Sequence, residues 1–292
     1  MIIRNITRST LLFVVTLLFT ACNHHGRVSE ESNTIYATIA PIKYIVEQIT
    51  GDDFSVEVLV PAGASPESFE PTPKQYIALN ESQFIFSTGL INFETALLER
   101  IEKQENIVNL SRNISLIEGA CSHNHSHKSS AHSHGVDPHI WTSPRELKTI
   151  ARNAYEAIIE RYPDSTKYTT AYKQLQHKIE QLDEECRVRC NASSARAFII
   201  YHPALTYYAR AYGIEQIAME SNGKEPSAKH IANIIEQAKS KQVKSLMYQS
   251  EYPRSVVDVL AEDTRLTPLE INPLAENPIE FILSVTDAIT TN

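Results

Sequence analysis

The chain has 292 residues, of which 42% are hydrophobic and 21% are charged, and this is enough apolar sequence for two globular domains with their own cores. This composition excludes disorder as the default state. The formal net charge is −8 with neutral histidines, so no nucleic acid or other polyanion is indicated as a partner.

The first 21 residues are typical of an export signal. Arg4 and Arg8 precede an apolar run over residues 11–19, which is too short to span a membrane. The run ends in Phe-Thr-Ala-Cys, which resembles the lipobox of bacterial lipoproteins, so we predict that Cys22 is the lipid-modified first residue of the mature chain. Residues 22–33 then form a tether. The alternative is an ordinary export signal with an incidental cysteine.

Two stretches, residues 56–89 and 214–251, share one order of predicted elements: a strand, a loop ending in Glu-Pro-Thr or Glu-Pro-Ser, a helix and a second strand. Thr72 and Ser227 are the predicted N-caps of the two helices. Because such units form parallel sheets, we predict a duplicated α/β architecture. The predicted helices and second strands cover residues 73–79, 83–87, 228–239 and 245–249.

The segment 121–135 is rich in histidine and has almost no apolar residue, so we predict a mobile loop. Neutral imidazole is a good ligand for zinc and copper, so the composition indicates an auxiliary metal-binding loop. A solvated polar linker is the alternative. The five histidines are His123, His125, His127, His132 and His134.

Two long helical patterns follow, over residues 144–161 and 164–190. We predict that the second belongs to a linker helix at residues 164–192, between an N-terminal lobe at 34–163 and a C-terminal lobe at 193–292. A coiled coil would need longer heptad repeats than this segment has.

Besides Cys22, the chain contains Cys121, Cys186 and Cys190, an odd number for a disulfide framework. Cys186 and Cys190 are one helical turn apart, where a disulfide would strain a regular helix. We therefore interpret both as structural residues or as contacts to a partner, and we place neither in the metal site.

Four loops contain candidate metal ligands at positions where parallel α/β sheets bind their ligands, just beyond the carboxyl ends of strands. The candidates are Glu67 in Ser-Pro-Glu-Ser-Phe-Glu, His139 in Asp-Pro-His-Ile-Trp, His202 in Tyr-His-Pro and Asn272 in Asn-Pro-Leu. Two of the loops belong to each half of the chain. A site between the two halves is therefore predicted.

These motifs resemble those of the metal-binding lipoproteins of zinc and manganese ABC importers, and the resemblance covers the whole mature chain. In that family the loops usually read Pro-Gly-Ala-x-Pro-His-x-Tyr-Glu-Pro, Asp-Pro-His-x-Trp, His-x-Ala and Asp-Pro-Leu. The resemblance implies an α/β fold of two lobes, with parallel four-stranded sheets flanked by helices and joined by a long rigid linker helix. In having a histidine at position 202, the chain resembles the zinc-binding branch of that family.

Two candidate ligands depart from the family pattern. Glu67 stands where the family has its first histidine, and Asn272 stands where it has an aspartate. Zinc accepts carboxylate oxygen, so Glu67 is chemically suitable. The neutral amide of Asn272 is a weak ligand, and water or a nearby carboxylate such as Glu70 is the alternative for the fourth position.

The resemblance implies a solute-binding protein of the cell envelope, monomeric and anchored through Cys22, that captures Zn²⁺ between its lobes and delivers it to an ABC permease and its ATPase. No enzyme is expected, because the sequence contains neither His-Glu-x-x-His nor Gly-x-Ser-x-Gly. The alternatives are a metal-buffering surface lipoprotein or adhesin of the same fold, or a receptor for Mn²⁺ or Fe²⁺.

Overall fold

The computed structural model describes residues 33–119, 135–220 and 223–291. The predicted signal peptide, Cys22, Cys121 and the five histidines of the His-rich loop lie outside these ranges, so their roles stay predictions. None of the helices within these ranges combines the length and the apolar character needed to cross a bilayer.

The N-terminal lobe is built on a parallel sheet in the order β2-β1-β3-β4. In this sheet Ile35 of the first strand lies opposite Val56 on one side and Phe84 on the other. The elements are, in chain order, β1 (Thr34–Ala37), α1 (Ala40–Thr50), β2 (Ser55–Val58), α2 (Pro73–Glu81), β3 (Phe84–Ser87), α3 (Asn92–Leu98), β4 (Ile107–Asn109) and α4 (Pro144–Arg161).

The C-terminal lobe repeats this plan with a second parallel sheet in the order β6-β5-β7-β8. Ile199 lies opposite Ile217 on one side and Leu246 on the other. Its elements are β5 (Ala197–Ile200), α6 (Thr206–Tyr212), β6 (Glu215–Ala218), α7 (Ala228–Ser240), β7 (Leu246–Tyr248), α8 (Arg254–Thr264), β8 (Pro268–Glu270) and α9 (Pro278–Thr290).

Both predicted N-caps have a physical role in starting their helices. The Thr72 hydroxyl accepts a hydrogen bond from the Gln75 N–H, and Oε1 of the Gln75 side chain accepts one from the Thr72 N–H, which completes a capping box. Ser227 likewise accepts a hydrogen bond from the backbone of His230. The two caps begin α2 and α7 where the sequence predicted, and each helix extends one or two residues beyond its predicted end.

The linker helix α5 (Thr166–Ala192) has 27 residues, which is about 40 Å at 1.5 Å per residue. It packs against α1 and α4 of the N-terminal lobe and against α9 of the C-terminal lobe. Cys186 and Cys190 on this helix are free, buried thiols. Their sulfur atoms contact the hydroxyls of Thr286 and Tyr208, respectively, which agrees with a structural role.

One hydrophobic core runs through both lobes. It contains the N-terminal sheet, the apolar face of α5 and one face of the C-terminal sheet, including Phe198 and Ile200. The alternate residues of the same strand, Ile199 and Tyr201, face a second cluster with α7 and α8, because successive side chains of a strand point to opposite sides. The lobes are therefore packed onto a shared apolar interior.

Candidate metal centre

Three predicted ligands from three different loops meet at the carboxyl edges of the two sheets. Glu67 follows β2, His139 precedes α4 and His202 follows β5. Each offers one ligand atom, and the three atoms lie within 4.8 Å of one another. The Glu67 Oε1 to His202 Nε2 distance is 3.1 Å. Among the described residues, this is the cluster whose donors fit a metal ion.

The imidazole of His139 is held by Asp137, two residues earlier. One carboxylate oxygen, Oδ1, accepts hydrogen bonds from the His139 backbone N–H and from its ring Nδ1, both at 2.9 Å. The same atom thus shapes the Asp-Pro-His turn and orients the ring, and Nε2 stays available for a metal. Both residues are buried, with 6% of each exposed.

His202 is held in the same manner by a residue from the neighbouring strand. Its Nδ1 lies 2.8 Å from Oε2 of the buried Glu220. Its backbone is fixed by Gln249, whose side-chain amide accepts from the His202 N–H and donates to the His202 carbonyl. The Tyr252 ring stacks on the imidazole, with the ring centroids 5.5 Å apart.

The dimensions of the cleft suit a single ion. Two ligand atoms at about 2.1 Å from zinc, in tetrahedral geometry, are about 3.4 Å apart, close to the observed separation of Glu67 and His202. The cleft volume is about 30 Å³, whereas sites for small organic ligands measure about 300 Å³ or more. A larger cleft of about 610 Å³ lies beside β4 and α4, but its lining includes no histidine or cysteine.

The electrostatic environment of the cluster favours positive charge. Burial acts to lower the pKa of His202, but the carboxylates of Glu220 and Glu67 raise it more, to about 10. Burial likewise acts to raise the pKa of Asp137, but His139 and the Thr206 side chain lower it more. The pKa of this carboxyl therefore lies below its ordinary value. A cation at the centre of the cluster is therefore stabilised.

The fourth loop lines the same cleft through Asn272. The Asn272 side chain is exposed, and its Oδ1 accepts a hydrogen bond from the Leu274 N–H at 3.0 Å, a turn that Asn commonly forms. Glu70 is exposed and does not belong to the cluster. Glu251, which the sequence interpretation passed over, does line the cleft.

The two lobes are hydrogen-bonded to each other beside the ligands. The Trp141 Nε1–H donates to the Pro273 carbonyl at 2.8 Å, and the Thr142 hydroxyl lies 2.9 Å from the Ala204 carbonyl. The Tyr207 hydroxyl donates to the Asp137 carbonyl at 2.8 Å. These contacts fix His139 of one lobe relative to His202 of the other.

We expect Trp141→Phe to lower the free energy of unfolding by roughly 2–4 kcal/mol, because it leaves the Pro273 carbonyl without its donor and opens a small cavity. Urea denaturation of the metal-free protein, followed by circular dichroism, measures this change. Tyr155→Phe is the control, since its half-buried hydroxyl bonds Thr169 of the linker helix α5, away from the contacts between the lobes, and should contribute less. An unchanged urea midpoint for Trp141→Phe would contradict the prediction.

Glu220 and Gln249, which hold His202, were likewise not predicted from the sequence. Each contacts His202 from a different neighbouring segment, 18 and 47 residues away in the chain. A signal for Glu220 was present, since it lies just beyond a strand of the second repeated stretch and so at the ligand-binding edge. Nothing in local spacing could identify its imidazole partner.

Comparison with known proteins gives a consistent set of relatives. The family model described as zinc-uptake complex component A, periplasmic, ZnuA, matches residues 35–290. The zinc-binding lipoprotein AdcA of Streptococcus pneumoniae is 25% identical over 277 residues, which cover 90% of this chain and 54% of that protein. This chain thus spans about half the length of the streptococcal relatives that it matches.

Two further relatives are matched over most of their length. The high-affinity zinc uptake system protein ZnuA of Bacillus subtilis is 28% identical over 268 residues, covering 86% of this chain and 84% of that protein. A crystal structure of ZnuA superposes with a TM-score of 0.79 at 28% identity, covering 88% of this chain and 98% of the other.

Proposed function

This chain belongs to the family of the zinc-uptake complex component A, periplasmic, and from that membership we propose that it is an extracytoplasmic solute-binding protein that captures Zn²⁺ for import. The observation that carries the proposal is the cluster of Glu67, His139 and His202, whose ligand atoms lie within 4.8 Å of one another. Nitrogen and oxygen donors of this kind are typical zinc ligands.

Capture requires ligands that are already in place. His139 and His202 present Nε2 because Asp137 and Glu220 hold Nδ1, so little ordering of these rings opposes binding. Glu67 supplies the one anionic ligand of the cluster. Zinc would link Glu67 and His139 of the first lobe to His202 of the second, with water or Asn272 completing the coordination.

We further propose that the loaded protein delivers its metal to an ABC permease with an ATPase subunit, and that it works as a monomer in the cell envelope, anchored through Cys22. A solute-binding role, and not catalysis, agrees with the family. The zinc-loaded protein should stimulate the ATPase of its membrane complex more than the metal-free protein does. Equal stimulation by the two forms would contradict delivery.

The substituted ligand position offers the sharpest test of the site. Glu67→Gln keeps the shape but removes the charge, so zinc affinity should fall by about 10-fold or more. Glu67→His and Asn272→Asp, which introduce the donors usual in the family, should each raise affinity, and the double variant should bind best. Competition with a chelator of known zinc affinity measures all four proteins.

The matched control for that series is Glu70→Gln, which removes an exposed carboxylate from the same loop and should leave zinc affinity unchanged. Competition titrations with Mn²⁺ and Fe²⁺ on the same proteins identify the preferred metal. If Glu67→Gln bound zinc as tightly as the unmodified protein, Glu67 would not be a ligand, although His139 and His202 could still be.

Zinc stoichiometry tests the His-rich loop separately. We expect one tight site from the cluster and additional weaker binding from the loop histidines, because imidazoles on a polar segment without a fixed geometry bind metal less tightly. Deleting residues 122–134 should remove only the weaker class in calorimetry. Loss of the tight site in the deleted protein would show that the cluster alone is not the zinc site.

A further inference from the structure

A buried carboxylate lies directly behind the metal cluster without belonging to it. Glu220 is 9% exposed, and its Oε2 lies 2.8 Å from Nδ1 of His202, on the side of the ring away from Glu67. It is absent from the group of ligand atoms that surround the proposed zinc position. Any effect of Glu220 on a bound metal would therefore be transmitted through the imidazole of His202.

The backbone places this carboxylate on a rigid part of the fold. The Glu220 N–H donates to the Tyr201 carbonyl at 2.9 Å, and the Met219 N–H donates to the Ile200 carbonyl at 2.8 Å. These bonds continue the pairing of β5 and β6 past the ends of the strands. Glu220 is thus fixed to the same sheet edge as His202, which Gln249 holds from the other side.

The basic side chain that pairs with Glu220 is the imidazole of His202. Within the described ranges its carboxylate hydrogen-bonds to His202, and none of the ion pairs found there joins it to Lys or Arg. A buried carboxylate is costly unless a positive charge lies close to it. A dication bound to Nε2 of the same imidazole would take the place of the ring proton as that charge.

We propose that Glu220 is a positioning residue for zinc capture, which directs Nε2 of His202 into the cleft and strengthens that nitrogen as an electron donor through its own negative charge. The inference rests on the proposed function, because it assumes that the cluster binds zinc. Partners of this kind change metal affinity by about 10- to 100-fold when removed.

Three variants separate the charge of Glu220 from its hydrogen bond. Glu220→Gln retains a hydrogen-bond acceptor for Nδ1 and loses the charge, so zinc affinity should fall by about 10-fold, and Glu220→Ala loses both, so it should fall by about 100-fold. Glu225→Gln is the matched control, since Glu225 is exposed in the loop that follows, and it should bind as the unmodified protein does. Chelator competition with Zn²⁺ measures each affinity.

Two readouts distinguish positioning from ligation and from a structural role. The visible spectrum of the Co²⁺-saturated protein should be the same with Glu220→Gln, because the atoms bonded to the metal are unchanged, and it should change with His202→Ala. In the His202→Ala background, Glu220→Gln should have no further effect on zinc affinity, since the carboxylate acts through that ring.

Tight zinc binding by the unmodified protein, with unchanged affinity in Glu220→Gln, would overturn this inference alone. An altered Co²⁺ spectrum in Glu220→Gln would also overturn it, because Glu220 would then be a ligand. Absence of tight zinc binding in the unmodified protein would overturn the proposed function and this inference with it. If Glu220→Ala does not fold, Glu220→Gln and the His202→Ala background still decide the question.

Discussion

Replacing His202 with alanine is expected to weaken zinc binding by about 100-fold or more. Protein zinc sites of four ligands bind with about 10–16 kcal/mol, or about 3 kcal/mol per ligand, and each 1.4 kcal/mol is a factor of ten. The variant also removes the ring that separates two carboxylates, Glu67 and Glu220. Chelator competition at fixed pH measures the loss.

The control for this variant is His177→Ala, which removes an exposed histidine of the linker helix and should leave zinc affinity as it was. His139→Ala should resemble His202→Ala in magnitude, because the two rings offer equivalent nitrogens. If His202→Ala retained the original affinity, the zinc site would have to lie elsewhere in the chain, and the His-rich loop would be the next place to test.

Zinc affinity is expected to rise about tenfold per pH unit between pH 6 and pH 9, because one proton must leave His202 for each ion bound. The pKa of this imidazole in the metal-free protein is about 10, so the ring carries a proton throughout that range. Protons and zinc compete for Nε2. Raising the pH therefore removes the competitor, and the increase levels off near pH 10.

Calorimetry in two buffers of different ionisation enthalpy counts the protons released per zinc ion, and we expect a value near one at pH 8. An imidazole with an ordinary pKa of about 6.5 would release almost none at that pH. A pH-independent affinity above pH 7 would therefore contradict the electrostatic description of His202. Glu220→Gln should reduce the proton release, since it removes one of the two charges that hold the proton.

Much of the fold followed from local sequence patterns. The strand, helix and strand order of the two repeated stretches predicted two parallel sheets, and the caps at Thr72 and Ser227 predicted where helices begin. The linker helix was predicted from apolar spacing that the structure places against both lobes. These features could be predicted because periodicity and capping depend on residues that are close together in the sequence.

The surroundings of the site were less predictable, because they depend on contacts between distant segments. Asp137 could be associated with His139 through its motif, whereas Glu220 and Gln249 reach His202 only after β5, β6 and β7 are aligned in one sheet. For Asn272, the sequence motif alone does not describe the environment of the side chain. Its motif matched a ligand position of the family, but its side chain oxygen is engaged in a turn.

The two departures from the family pattern have related electrostatic effects. The family pattern has a histidine in the first loop and an aspartate in the fourth, whereas this chain has Glu67 and Asn272. Each arrangement provides one carboxylate among the four positions, so the formal charge presented to the metal is the same. With Glu67 as the proposed ligand, the carboxylate stands in the N-terminal lobe and not in the C-terminal one.

The position of that carboxylate has a consequence for how fast the metal leaves. About 26% of the Glu67 side chain is exposed, against 5% for His202 and 7% for His139, and the shared core restrains the lobes from separating. If the cluster binds zinc as proposed, we expect the ion to leave from the solvent side, with Glu67 rotating away while both rings stay in place. On the proposed function, the mobility of this one loop side chain would then set the residence time of the ion, and the proposed permease could shorten it by contacting the surface next to Glu67.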